Sequence, residues 1–304
     1  MNAEAIGREP VVFKDKRLLT PRMIDRAANC GLWLAGLIIL GILAAFLTYI
    51  LYKGLPVLTW GFVTGMSTDT RAGGGVGPQL FNSFYILFLS MAFSIPVAVG
   101  AGIYLAEYAG QGALTDLIRL STESLATVPS IVLGLFGMII FVNTLGLGFS
   151  IIGGALTLSL LNIPVLVRVT EEAIKTVPLQ YREASLALGA TKWQTIWRVV
   201  LPTALPGMIT GLTLTAGRAL GESAILIFTA GTTVSRQLPD PNLLAAGETL
   251  AVHMWYVMAV GLVPDRIEIA NGTGALLVIA ILIFNLVFTI PARMLQRRLS
   301  GTNS

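Results

Sequence analysis

Long apolar runs separated by short polar connections dominate the chain. A helix needs roughly 20 apolar residues to cross the hydrocarbon core of a membrane. The runs that meet this length lie at 30–52, 82–106, 125–144, 147–167, 205–230 and 274–294. The pattern therefore predicts an all-α, polytopic bundle of six transmembrane helices.

A seventh apolar run, 243–262, carries Glu248 and His253 near its middle. Ionisable side chains are costly in lipid. We therefore expect this run to form an amphipathic helix within an extracytoplasmic loop, about 231–273, and not a further span.

Composition supports a membrane protein. Hydrophobic residues make up 55% of the chain, charged residues only 12%, and the mean hydropathy is +0.79. Soluble domains carry about 25% charged residues, so a soluble fold is disfavoured. The net charge of +4 is interpreted as basic residues on one membrane face, and we expect no nucleic-acid partner. The single cysteine and the single histidine predict neither a disulfide within the chain nor a metal cluster.

The distribution of lysine and arginine predicts the orientation, because basic residues are enriched in cytoplasmic connections. With the N-terminus inside, fifteen of the 20 basic residues fall on the cytoplasmic face, four fall outside and Arg218 lies within a span. We therefore expect cytoplasmic tails at 1–29 and 295–304 flanking a transmembrane domain at 30–294. The first apolar run is long enough to span, so no cleavable signal peptide is expected.

The connection between the fourth and fifth spans, about 171–203, is unusually polar. Residues 179–188 favour a helix, and Gly189 suits the left-handed conformation just past its end. Thr191 followed by Gln194 predicts a capping box that starts a second helix, which Pro202 is expected to end. The sequence therefore predicts a cytoplasmic helical hairpin.

Trp193 and Trp197 are four residues apart, so they share one face of the second hairpin helix. Exposed aromatic side chains in a short hairpin indicate a docking surface. Packing of both rings against the ends of the bundle is the alternative, and helix periodicity alone does not decide between them.

The hairpin resembles the EAA loop of ABC importer permeases. The matching positions are Glu183, Ala184, Ser185, Gly189, Val199, Leu201 and Pro202, with serine for the usual second alanine and valine for isoleucine. This resemblance implies that the hairpin sits in a groove of a separate ATPase. The chain contains no Gly-Lys dipeptide and hence no P-loop. We therefore expect a non-catalytic subunit whose partner binds ATP and Mg.

Two arginines are candidates for a substrate pathway. Arg218 and Glu222 are four residues apart inside the fifth predicted span, and intramembrane charges usually face a cavity or a partner. An arginine there can bind a tetrahedral oxyanion bidentately, although a self-neutralising Arg218–Glu222 pair is the alternative. Arg168, at the end of the fourth span, is the second candidate, and cytoplasmic anchoring is its alternative role.

From the first span onward the chain resembles phosphate importer permeases of the PstA type. The matching stretches are 73–78, 102–108, 129–136, 164–168, 182–189 and 218–224. The resemblance implies a type I ABC importer fold in a prokaryotic inner membrane, alternating access, and roles for Arg168 and Arg218 in phosphate passage, with the acid at Glu222 retained. The implied partners are a PstC-type permease, two PstB-type ATPases and a PstS-type binding protein.

Three other hypotheses for the function stay open. An ABC permease for sulfate or molybdate would carry the same hairpin. A secondary transporter would need no ATPase and should show internal repeats, of which none is convincing. A membrane sensor or scaffold without transport activity is the third.

Overall fold

The computed structural model describes residues 21–68, 72–110, 112–233 and 240–299. Residues 1–20 of the predicted N-terminal tail, 234–239 of the predicted extracytoplasmic loop and 300–304 of the predicted C-terminal tail lie outside the described residues. The chain divides into two compact units, 1–49 and 50–304. The first contains most of α1, Pro21–Gly54.

The second unit is built from helices, and the described residues form no β-strand. A 3₁₀ turn, Leu55–Val57, follows α1. The other helices are α2 Trp60–Thr64, α3 Gly77–Ile103, α4 Ala113–Thr127, α5 Ser130–Gly137, α6 Ile151–Lys175, α7 Leu179–Ala187, α8 Lys192–Thr195, α9 Leu201–Leu220, α10 Ala224–Thr229, α11 Leu250–Ala259 and α12 Arg266–Leu299. Three π-helical segments, Tyr104–Tyr108, Met138–Thr144 and Ile196–Val200, extend α3, extend α5 and join α8 to α9.

The predicted all-α bundle of membrane spans is confirmed. Within the described residues, five helices are long and apolar enough to cross a membrane, and a bent pair makes a sixth span if it counts as one. The pair consists of Ala113–Thr127 and Ser130–Thr144, which meet at 98°. The third span was predicted as one run, 125–144. It breaks because Pro129 pushes Val128 into an extended conformation (ψ 129°).

Two other predicted boundaries are wrong. The fourth span begins at Ile151, where the hydroxyl of Ser150 accepts a hydrogen bond from the Gly153 amide, and it continues to Lys175. The fifth run, 205–230, is not one helix, because α9 ends at Leu220 and α10 starts separately at Ala224. Gly221 supplies the break, since glycine is a poor helix former.

Pro202 does not end the second hairpin helix as the sequence predicted. Lys192–Leu220 is one continuous helical span. Pro202 and Pro206 lack amide hydrogens and would each leave a carbonyl without its helical donor. The π-helical segment Ile196–Val200 ends two residues before Pro202. Its wider turn holds one extra residue, so the helix accommodates the proline and continues.

The core of the second unit forms where α3 and α6 lie side by side. Its most buried large side chains include Ile86 and Leu87 of α3 and Leu158 and Leu166 of α6. Gly102 allows the close approach, since a β-carbon there would lie 2.6 Å from the side chain of Thr170.

The predicted extracytoplasmic helix is shorter than expected and is buried. It is α11, Leu250–Ala259, whose ten residues span about 15 Å, too short to cross a membrane. Leu250, Ala251, Val252, His253 and Val257 are buried. The helix therefore dips into the protein, as its apolar composition requires.

Candidate functional site

The hairpin between α6 and α9 has the local structure that its sequence predicts. Gly189 adopts φ +82° just beyond α7. The Thr191 hydroxyl accepts from the Gln194 amide (3.3 Å), and the Gln194 side chain accepts from the Thr191 amide (2.9 Å). The left-handed glycine and the capping box are therefore confirmed, and α7 and α8 form two arms of one turn.

Apolar side chains cover the outer surface of the hairpin. Leu188 is 89% exposed, Trp193 58% and Trp197 49%. The two indole rings lie 5.3 Å apart at 61°, an edge-to-face pair. None of the α7 side chains is buried. Within the described residues, the tryptophans are not packed away against the bundle. An apolar surface of this kind indicates a partner.

The residues of the EAA resemblance occupy two different places. Glu183, Ala184 and Gly189 are exposed on α7 and its turn. The Ser185 hydroxyl lies 2.9 Å from that of Thr195 and ties the two arms together. Leu201 and Pro202 lie instead in the first turn of α9. The motif therefore joins an exposed surface to a membrane span.

The inner side of the hairpin is held by a partly buried ion pair that the sequence did not indicate. Arg182 donates from Nε (3.0 Å) and Nη2 (2.8 Å) to Glu107 Oε1. It also donates to the backbone carbonyls of Ile174 (2.9 Å) and Val177 (2.5 Å). Sequence analysis assigned no role to Glu107. The partners are 75 residues apart, and a spacing of that length carries no local signal.

Arg168 lies in α6 within a network of charges and is exposed. Its Nη1 atom lies 2.7 Å from Glu123 of α4, and its Nε atom lies 2.9 Å from Glu172 one turn further along α6. Sequence analysis did not identify Glu123 as a partner of Arg168. Because two carboxylates already contact its guanidinium, Arg168 is not free for an anion in this arrangement.

A second set of charges lies beside the first. Glu171, whose side chain is 11% exposed, accepts from Arg119 of α4 at 3.0 Å and from Lys175 at 2.5 Å. Together with the Arg168 network, these residues line a cavity of about 510 Å³. Three basic and three acidic side chains give the lining no net charge. The ion pairs therefore join α4 to α6 across the mouth of the cavity.

Arg218 is placed differently. It lies in the last turn of α9 and is exposed. Within the part of the chain that the structure describes, no carboxylate forms an ion pair with it. A cation in the last turn is favoured by the helix dipole, which helps α9 to tolerate the charge. The guanidinium is therefore available to a ligand.

Glu222 does not neutralise Arg218, contrary to one of the sequence-based alternatives. The two residues do not share a helix face, because α9 ends at Leu220. The carboxylate of Glu222 instead accepts a hydrogen bond from the Ala224 amide at 3.1 Å. It therefore caps the start of α10 next to the free arginine.

A buried polar cluster fixes α11 to α3. Glu248 Oε2 accepts from Gln79 Nε2 at 2.8 Å and lies 3.0 Å from His253 Nδ1. The Asn82 side chain donates to the Glu248 carbonyl at 3.1 Å. The side chains of Glu248 and His253 are 4% and 8% exposed. Sequence analysis did not identify these partners, which come from a helix more than 160 residues away.

Replacing Glu248 with alanine is expected to lower the free energy of unfolding by about 3 kcal/mol, because it leaves His253 and Gln79 buried without their acceptor. Glu268→Ala is the matched control, since Glu268 is exposed on α12, and its effect should stay within about 0.5 kcal/mol. Denaturant unfolding in detergent micelles measures both. Equal effects of the two variants would show that the cluster adds no stability.

The fold and the hairpin define a class of protein, a multi-span membrane permease with an exposed surface for a partner. The family model described as binding-protein-dependent transport system inner membrane component matches residues 98–301. Since this is well over half of the chain, the protein belongs to that family, the membrane-spanning permeases of ABC importers. Such a subunit works with a separate ATPase and a substrate-binding protein.

Individual relatives agree with this family. The chain is 45% identical over 290 residues to the probable ABC transporter permease protein YqgI of Bacillus subtilis, covering 92% of this chain and 99% of that protein. It is 34% identical over 237 residues to the phosphate transport system permease protein PstA of Haemophilus influenzae, covering 78% and 82%. The resemblance to PstA-type permeases is therefore confirmed.

A solved structure supports the fold alone. A chain of a bacterial alginate ABC transporter matches with a TM-score of 0.58 at 17% identity, covering 90% of this chain and 96% of that one. The expected ABC importer permease fold is confirmed.

Proposed function

We propose that this chain is a permease subunit of an importer of inorganic phosphate. The observation that carries the proposal is Arg218, an exposed arginine in a span with no carboxylate partner among the described residues. A guanidinium presents a planar fork of donors that matches a tetrahedral oxyanion. The similarity to the Haemophilus phosphate permease supports the same cargo.

The proposed assembly contains a PstC-type permease beside this chain, two PstB-type ATPases that bind ATP and Mg, and a PstS-type binding protein outside. Both termini and the hairpin then lie in the cytoplasm. The exposed tryptophans and leucines of the hairpin support docking to the ATPase through Glu183, Ala184, Ser185 and Gly189.

Transport then proceeds by alternating access. Closure of the ATPases moves the hairpin, and α9 follows because α8 and α9 are one continuous helix. Phosphate released outside meets Arg218 in the outward-open cavity. When the cavity opens inward, phosphate leaves past Arg168, which must first separate from Glu123 or Glu172. Ion pairs with these carboxylates limit the affinity of Arg168 for phosphate, and weak binding at this point favours release.

Uptake of radiolabelled phosphate into proteoliposomes containing the whole complex tests this function. Uptake is expected to require ATP inside the vesicles and the binding protein outside, and to fall when unlabelled phosphate is added in excess. Sulfate and molybdate should compete poorly. No uptake of labelled phosphate, with ATP-dependent uptake of labelled sulfate or molybdate by the same vesicles, would identify another oxyanion as the cargo. Uptake driven by an ion gradient without ATP would indicate a secondary transporter.

A further inference from the structure

Both arms of the hairpin are fastened to the same short segment of the second span. Arg182 of α7 binds the carboxylate of Glu107 through two nitrogens, at 2.8 and 3.0 Å. Lys192, the first residue of α8, donates to the backbone carbonyl of Glu107. The same ammonium lies 4.6 Å from the centre of the Tyr108 ring, within cation–π range.

The Glu107–Arg182 tie, the ion pair that joins α7 to the end of the second span, is shielded from solvent. The Glu107 side chain is 10% exposed and that of Arg182 is 18%. Screening is weak in such a site, and removing one partner leaves the other charge buried and uncompensated. By contrast, the Arg168–Glu123 pair is more than half exposed on both sides, where ion pairs contribute little. Glu107–Arg182 is therefore better suited to transmit force than the exposed Arg168–Glu123 pair.

Apolar packing does not replace this tie for α7, since none of its residues is buried. The second arm is different, because Thr195 and Ile196 are buried and lead directly into α9. The first arm is connected to the span α3 through Arg182 and Glu107.

Glu107 lies in the π-helical segment Tyr104–Tyr108 that continues α3. Such segments often occur at functional sites. The rest of α3 packs along α6 with buried side chains such as Leu87 and Leu158. A displacement of Glu107 would therefore act on α3 and, through α3, on α6.

We propose that Glu107 is a positioning residue that makes the second span follow the hairpin. The hairpin then moves two spans at once, α9 through the backbone and α3 through the Glu107 carboxylate. This inference rests on the proposed docking of the hairpin to the ATPase. It does not depend on which oxyanion is carried.

A distance measurement tests the mechanical link directly. Spin labels are placed on Tyr104→Cys and Gln180→Cys, both exposed positions outside the apolar docking surface, in the complete complex with Cys30→Ser and the cysteines of the other subunits removed. In the otherwise unchanged protein, one narrow distance is expected with and without ATP. Glu107→Ala should broaden the distribution or add a second distance when ATP binds, because the hairpin then moves without α3.

Asp116→Ala is the matched control, since Asp116 is an exposed acid on α4, and its distance should match that of the parent. Glu107→Gln should be milder than Glu107→Ala, because its carbonyl oxygen still accepts from Arg182. If Glu107→Ala does not assemble, Glu107→Gln should still broaden the distribution when ATP binds, to a smaller degree, and a distribution identical to the parent's would overturn the proposal. A distribution in Glu107→Ala identical to the parent's in the presence of ATP would overturn the proposal.

The ratio of ATP hydrolysed to phosphate taken up is a second readout that a purely structural role would not move. Glu107→Ala is expected to raise this ratio at least about tenfold, with the ATPase subunits bound in normal amount, because the charge-assisted hydrogen bonds to Arg182 are lost; a tenfold change corresponds to about 1.4 kcal/mol. A proportional fall of both activities at an unchanged ratio would show that Glu107 only stabilises the fold. Failure of the parent complex to couple uptake to ATP would count against the proposed function, and the distance measurement would still decide the role of Glu107.

Discussion

Replacing Arg218 with glutamine is expected to reduce phosphate uptake about 100-fold. Glutamine retains polarity and most of the length but loses the charge and the paired donors. Two charge-assisted hydrogen bonds to an oxyanion contribute about 3 kcal/mol together, which corresponds to that factor. Uptake by the Arg218→Lys variant should fall between that of the parent and that of Arg218→Gln, because an ammonium keeps the charge but not the planar fork of donors. Initial rates of radiolabelled phosphate uptake measure all three proteins.

Arg266→Gln is the matched control for this experiment. Arg266 is an exposed arginine in the first turn of α12, and the described structure gives its side chain no partner. Its loss should leave uptake near the parent value. The complex of the Arg218→Gln variant should still contain its ATPase subunits, which separates a defect in the pathway from one in assembly. Normal uptake by the Arg218→Gln variant would contradict the proposed role of this arginine.

The geometry predicts a different result for Glu222. Since its carboxylate caps α10 through the Ala224 amide, Glu222→Gln keeps an oxygen that can accept the same bond. Its effect on uptake should therefore be much smaller than that of Arg218→Gln. An equal loss would show that the negative charge itself acts on the substrate or on Arg218 during transport.

Hydropathy predicted the number and type of the spans because each must bury about 20 residues in lipid. That requirement produces a long run of consecutive apolar residues, which the sequence shows directly. It could not predict where helices break inside apolar sequence. Val128–Pro129 and Gly221 interrupt predicted spans through backbone preferences that an average over a window does not register.

The hairpin shows the opposite balance. Its glycine turn and its capping box involve residues within three positions of each other, so local chemistry predicted them correctly. The effect of Pro202 was predicted wrongly, because a π-helical segment can absorb a proline that would otherwise end a helix. Recognition of the EAA resemblance identified the exposed surface. It gave no information on the residues that hold the surface in place.

Polar contacts between distant parts of the chain could not be predicted, on the hairpin or elsewhere. Glu107 with Arg182, Glu123 with Arg168, and Gln79 with Glu248 come together only after the helices have packed. Each was visible in the sequence as an isolated polar residue with several possible partners. The one available signal was indirect, since acids next to an apolar span require a cation or solvent.

Replacing Gly189 with valine is expected to release the ATPase from the complex. Gly189 closes α7 with two bonds typical of a left-handed cap, from its own amide to the Leu186 carbonyl (2.9 Å) and from the Ala190 amide to the Ser185 carbonyl (3.2 Å). At φ +82° an L-residue is less stable by about 1–2 kcal/mol, and a β-branched side chain fares worse. The turn should then open and separate the two exposed faces of the hairpin.

The effect is expected to act through the backbone alone, because no atom lies within 4 Å of a β-carbon built at Gly189. Retention of the ATPase should therefore follow tolerance of the left-handed conformation, with asparagine near glycine, alanine lower, and valine reduced about tenfold or more. Gly110→Val is the control, since Gly110 also has open space but no positive φ. Quantitative co-purification orders the variants. If asparagine and valine retain the ATPase equally, the turn conformation does not matter for docking. If the valine variant keeps the ATPase but loses transport, the hairpin turn is needed for transmission and not for attachment. The Glu107–Arg182 tie would then be the more important contact for coupling.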